Sequence, residues 1–245
     1  MILLSTAFLM LKKSEEKQNI VSWIVITTVL LLCYNVAIAY ILNIFKIPVS
    51  LISVEIINIV ISIIIFFYIF KTKNKQKYYV HKRDCLAVLA IIIICICVSI
   101  KNFGFPLNIK YIMTDAAVHY KVALNFYDET RLLNNSTDEH INVKTMMPGA
   151  YVNTGLLFKM CDGFVDRLDF YKLFIGFDIF LLILSALMLY VTLINLTKNW
   201  RMYLCAFILT IIYAFRISIE QYDFWISIFT YGNNNYKLYN FINGI

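Results

Sequence analysis

The chain has 245 residues, of which 61% are hydrophobic and only 15% charged, and its formal net charge is +7. A soluble domain is about half apolar and about a quarter charged, so a mean hydropathy of +0.73 excludes a soluble enzyme and predicts an all-α, polytopic helical membrane protein. Seven glycines and three prolines exclude collagen-like and proline-rich chains, and the basic surplus lies in short loops between apolar runs, which reads as membrane topology and not as nucleic-acid binding.

Residues 1–11 are apolar but form only about half of the roughly 20-residue length that spans a bilayer. Lys12 and Lys13 come after this stretch, the reverse of a signal peptide's order. It reads as an interfacial piece or as the end of a helix that begins earlier. Residues 20–45 carry no charge and are long enough to cross with some tilt. After the short turn Lys46-Ile47-Pro48 a second span covers 49–70, so the two form a membrane hairpin. The linker 71–84 holds Lys71, Lys73, Lys75, Lys77, Lys82 and Arg83, which marks it as cytoplasmic. An isoleucine-rich span follows over 85–100, and another apolar span covers 173–196. A fifth begins at Tyr203, turns mixed at Arg216 and surfaces near Tyr222. The asparagine-rich tail carries no clear helix signal.

About five transmembrane helices result, in three regions: an N-terminal membrane region 1–100, a long loop 101–172, and a C-terminal membrane region with its polar tail, 173–245. With alternating spans, Lys12, Lys13, Lys17, Lys198 and Arg201 share the side of the basic linker, and 101–172 lies outside the cell membrane. That loop carries eight basic and eight acidic residues, so no net charge opposes its translocation. The six cysteines sit mostly in apolar runs and read as packing thiols; Cys95 and Cys97 are too close for a usual zinc knuckle. No metal or cofactor is expected.

A loop of this length exceeds what a connector needs. Residues 115–132 read as an amphipathic helix lying on the membrane surface, with Lys121, Asn125, Asp128 and Glu129 on its wet stripe. Ala116, Tyr120, Ala123 and Tyr127 line the other side. Thr114 can cap this helix, and Asp115 in its first turn suits the dipole. Asp115 and His119 are one turn apart, so a general base beside a phosphate-holding imidazole is one reading. A dipole carboxylate and a solvated histidine form the other. Past Pro148-Gly149 a second surface helix over about 150–160 returns the chain to the membrane, with Asn153 and Thr154 as hydrogen-bonding groups suited to a sugar hydroxyl or to capping. Glu55 and Asp178 lie inside spans, roughly 10 Å below the outer surface at 1.5 Å per residue. Such buried charges point to function by default, and Arg216 with Glu220 reaches a similar depth. An outward-facing polar cavity is one outcome; pairing of Arg216 with Glu220 is the other.

A span followed by a long outer loop that opens with Thr114-Asp115-Ala116-Ala117-Val118-His119-Tyr120 resembles the multi-spanning glycosyltransferases of the GT-C fold and the bacterial membrane proteins grouped near them. The resemblance covers about 101–201 and rests on order and topology. It implies a sugar transferred from a polyprenyl-phosphate donor at the outer leaflet, with Asp115 deprotonating the acceptor. His119 and Arg216 would meet the donor phosphate, Arg through its two-pronged charge, and Asn153, Glu55 and Asp178 would line the substrate site. The partners implied are membrane lipids and the lipid-linked donor. Three apolar segments precede the loop and about five spans make up the chain, so the alternative is a truncated or non-catalytic membrane scaffold whose further spans come from a partner membrane protein. A transporter needs a path through the membrane, and the buried charges cluster on one half only.

Overall fold

The computed structural model describes residues 18–72, 78–103, 105, 114–130, 132, 148–196 and 204–212. Among these the chain is helical apart from one minimal parallel pairing, β1 (Gln18–Asn19) with β2 (Tyr78–Tyr79), in the register Gln18 to Tyr78. The helices are α1 (Ile20–Ile44), α2 (Leu51–Thr72), α3 (Lys82–Phe103), α4 (Thr114–Glu129), α5 (Pro148–Cys161) and α6 (Phe170–Leu196), the last entered through a 3-10 turn at Arg167–Asp169. A further helical stretch covers 204–212. Four helices are long and apolar enough to cross a membrane: Ile20–Ile44, Leu51–Lys71, Lys82–Lys101 and Arg167–Leu196. Runs rich in isoleucine and valine fold as helices here because a segment without water must satisfy its backbone within itself. Of the predicted fifth span only the beginning lies among the described residues.

Local chemistry sets the turns. Helix α1 ends in a Schellman arrangement: Lys46 N–H donates to the Asn43 carbonyl at 3.0 Å and Ile47 N–H to the Leu42 carbonyl at 2.9 Å. Lys46 takes the left-handed position with φ 58°, where glycine is usual, and Pro48 bars any continuation. Ser50 then caps α2. Its hydroxyl accepts from Ser53 N–H at 3.2 Å, while Ser53 Oγ accepts from Ser50 N–H at 3.0 Å, a reciprocal pair that satisfies two orphan donors.

Among the described residues there are two large cores and a minor cluster around Ile65. One joins Val25 of α1, Ile91 and Cys95 of α3, Leu187, Tyr190 and Val191 of α6, and Ala206. It lies at the end that carries the basic linker. The other joins Ile38, Ala39 and Leu42 of α1, Val49, Val54 of α2, Val122, Ala123 and Phe126 of α4, Tyr151, Val152, Leu156 and Phe158 of α5, and Phe170, Phe174 and Ile175 of α6. This second core forms a cap in which the loop helices and the span ends share one interior.

Helix α5 differs from the expected surface helix. Every residue from Tyr151 to Leu156 is buried, and the helix packs against α1, α2, α4 and α6. Asn35 Nδ2 donates to Asn153 Oδ1 at 3.0 Å, and Asn153 Nδ2 donates to the Leu32 carbonyl at 3.3 Å. Asn35 lies roughly 13 Å along the axis from the end of α1 at Ile44, so α5 dips well below that end. A helix buried on all sides shows no apolar stripe, and its asparagine reads as a surface residue until its partner is known. The buried face of α4 is also broader than its sequence stripe: Val122, Ala123 and Phe126 are buried while Tyr120, Leu124 and Tyr127 are partly so. The inserted α5 supplies that extra wall.

Candidate functional site

Asn153 of α5 is buried in the cap, and helix α4 is the cap's organising element. Its aromatic side chains lock it to the neighbours. Tyr120 sits edge-on to Phe174 at 5.6 Å and to Phe158 at 6.0 Å, and Tyr127 meets Phe170 at 5.3 Å. Phe158 and Phe170 stack at 4.8 Å. Where α4 crosses α5, Gly155 leaves room for nothing larger: a Cβ there would overlap the Phe126 ring and stand 3.1 Å from the Ala123 carbonyl oxygen.

The turn between α1 and α2 is clamped through Val49. Its N–H donates to the Thr130 carbonyl at 2.8 Å, just past α4, and Thr130 itself takes a left-handed φ of 55°. The Val49 carbonyl accepts from Lys159 Nζ at 2.8 Å. That ammonium also lies 5.2 Å from the centre of the Phe126 ring. Burial pushes Lys159 down to about 8, against the opposing pull of Asp128. Tyr151 is buried, donates to the Leu132 carbonyl at 3.3 Å, and is pushed up to about 12 by burial, with Tyr40 adding to it. On the rim Arg167 pairs with Asp128 at 2.6 Å and lies over the Tyr127 ring, and Lys172 pairs with Asp169 at 2.7 Å.

Asp115 falls in the first turn of α4, which begins at Thr114 and not after it; its side chain lies outside the described residues. His119, one turn on, is exposed. Asn153 is 8% exposed and its amide is engaged with α1. Glu55 is half-buried on α2 and engaged with a neighbour. Asp178 is half-buried on α6, one turn from the buried Phe174. Arg216 and Glu220 lie outside the described residues, and with them the expected meeting of Asp115, His119 and Arg216. Among the described residues no group of three His, Cys, Asp or Glu side chains is placed to hold a metal ion. All six cysteines are unpaired.

Three residues were not singled out in the sequence. Asn35 lies in a span that carries no charge, and only its partner on α5 reveals its use. Lys159 read as one of eight loop cations. Asp84 read as the end of the basic linker, yet it is 0% exposed. It accepts from Asn19 Nδ2 at 2.6 Å and from the Tyr190 hydroxyl at 3.3 Å, with Arg83 Nε at 3.6 Å. A lone acid between a basic run and an apolar run was the available signal.

No protein-family model, curated protein or solved structure matches the chain.

Proposed function

We propose that this chain is a membrane glycosyltransferase-like protein that transfers a sugar from a polyprenyl-phosphate donor at the outer leaflet, with Asp115 as the general base. The observation that carries this reading is the shared cap core: α4 is packed through Val122, Ala123 and Phe126 onto the ends of α1, α2 and α6. The helix that carries Asp115 is thereby tied to the membrane helices, and a base on it would serve a lipid-borne phosphate and a water-borne hydroxyl that meet at the membrane surface. The basic linker on the opposite end supports an outward-facing cap by the positive-inside rule. His119 lies on the same helix and can meet the donor phosphate. Arg216, Asn153, Glu55 and Asp178 complete the proposed substrate-binding set.

The test is sugar transfer from a radiolabelled polyprenyl-phosphate sugar by the full chain in membranes. Asp115→Asn keeps the shape and removes the base, so it should lower transfer by 10²-fold or more while leaving expression intact. Full transfer by this variant rejects the role.

A second reading, a non-catalytic scaffold, is favoured by one observation: polar groups of the cap are consumed by contacts within the chain, Asn153 with Asn35, Arg167 with Asp128 and Lys172 with Asp169. Absence of transfer by the wild-type chain with every donor tried, together with co-purification of a partner membrane protein, supports that reading.

A further inference from the structure

The turn that joins α5 to α6 exposes large apolar side chains among charged ones. Its sequence, Asp162-Gly163-Phe164-Val165-Asp166-Arg167-Leu168-Asp169, has four charged residues in eight and by composition belongs in water. Its large apolar side chains nonetheless point outward: Phe164 is 91% exposed and Leu168 81%. The charged side chains are also open on their outer side, Arg167 59% and Asp169 44% exposed, and each is engaged within the protein. Asp162 accepts the Tyr127 hydroxyl. Asp166 accepts from Leu168 N–H at 3.1 Å and so caps the 3-10 turn. Asp169 takes Lys172, and Arg167 takes Asp128. Val165, between the two exposed residues, packs inward on the cap core.

A turn facing only water keeps its large apolar side chains inward, whereas a segment at a membrane surface shows rings and charges together. The chain fixes this arrangement with local geometry. Gly163 takes φ 82°, which lets the chain reverse so that Phe164 N–H and Val165 N–H both return to the Cys161 carbonyl, at 3.0 and 3.1 Å. What covers the outward side follows from position. The fourth helix long and apolar enough to cross a membrane, Arg167–Leu196, begins within this turn, so a bilayer around that helix puts the turn next to the membrane surface.

We infer that Phe164 and Leu168 form an interfacial anchor, inserting into the headgroup and upper acyl layer of the lipid bilayer and holding the mouth of the cap at the membrane surface. A ring and a branched chain that enter this layer gain the burial they lack in the protein, as the apolar face of an interfacial helix does. Holding the turn at that depth fixes the start of α6 and, through Tyr127 and Asp162, the C-terminal end of α4. The inference uses only the membrane placement of α6 and stands whether or not the chain transfers a sugar.

The test is depth-dependent quenching. Phe164→Trp is introduced into the full chain carrying Trp23→Phe, Trp200→Phe and Trp225→Phe, and the protein is placed in phosphatidylcholine vesicles brominated near the top of the acyl chains. For an anchor that sits some 5–10 Å into the boundary, emission should fall by about half relative to unbrominated vesicles, and a Leu168→Trp counterpart should behave alike. Water-like emission that bromine leaves unchanged overturns the inference. So does blue-shifted emission without quenching, which would mean that protein covers the turn. Should the tryptophan-replaced chain fail to fold, hydroxyl-radical footprinting of the unaltered chain in lipid nanodiscs decides: Phe164 is protected relative to the denatured chain if the anchor is inserted, and oxidation at the denatured rate refutes it.

Discussion

Asn35 and Asn153 show how much one partner changes the meaning of a residue. Each amide in isolation is a cost inside an apolar helix; joined at 3.0 Å, they tie α5 to the middle of α1. Interhelical hydrogen bonds in membrane proteins couple by about 0.6 kcal/mol on average and by up to about 1.7. Asn35→Ala and Asn153→Ala should each destabilise the chain, and the double variant should fall short of their sum by about that amount, measured by unfolding in mixed micelles. Strict additivity would mean that the pair does not hold the helices together. Lys159 gives a second prediction at this scale, through pH. Its folded value of about 8 lies below the ordinary 10.5, so between these values the unfolded chain keeps a proton that the folded chain has released. Stability therefore rises across that window as pH increases, and the burial cost is fully present below about pH 8. Lys159→Met should flatten this slope in a pH series of unfolding midpoints. An equal slope in both proteins rejects the assignment to Lys159.

Among the elements, the contact of α4 with α5 is the tightest constraint on the cap. Gly155→Ala forces the Phe126 ring or the α4 backbone to move, and overpacking of this kind costs roughly 1–3 kcal/mol. Phe126→Leu in the same chain should recover part of that loss, because the shorter side chain vacates the space that the new methyl needs. A double variant less stable than either single one would place the clash elsewhere. This contact also marks where the sequence stops informing. The four spans were legible because apolar length alone decides them, and the α1–α2 turn was legible because Pro48 bars a helix from continuing. The depth of α5 was not legible: burial of Tyr151-Val152-Asn153-Thr154-Gly155-Leu156 depends on Asn35 and Gly155 meeting surfaces far away in the chain. A helix opening at about Asp115 was legible from the sequence pattern, and α4 begins one residue earlier, at Thr114. The company that Asp115 keeps depends on tertiary contacts that no local pattern encodes.

For the molecule as a whole, its two ends are built differently, and Asp84 accounts for the difference at the basic one. Lys71, Lys82 and Arg83 are exposed there, while Asp84, the only acid of the linker, is fully buried. Its charge is spent holding Asn19 at the start of α1 and Tyr190 late in α6, close to the favourable N-terminus of α3. Among the described residues of the linker the exposed charges are therefore all cationic, the pattern the positive-inside rule associates with a cytoplasmic side. Alkaline phosphatase fused after residue 132 should be active and fused after residue 76 inactive; the opposite pattern ends the outward-facing cap. The same carboxylate fixes three spans at one point, which gives an ordered set of losses. Asp84→Ala takes the acceptor from the buried Asn19 amide and one bond from Tyr190, and an unpaired buried group costs roughly 1–3 kcal/mol. Tyr190→Phe removes one donor and leaves Asp84 with Asn19 and Arg83, so it should cost distinctly less, near the ~1 kcal/mol of a single net hydrogen bond. Thermal unfolding in detergent ranks the two. Equal losses would mean that the Tyr190 bond carries the node, and a neutral Asp84→Ala would mean that the basic end is held by apolar packing of Ile91, Leu187 and Val191 alone.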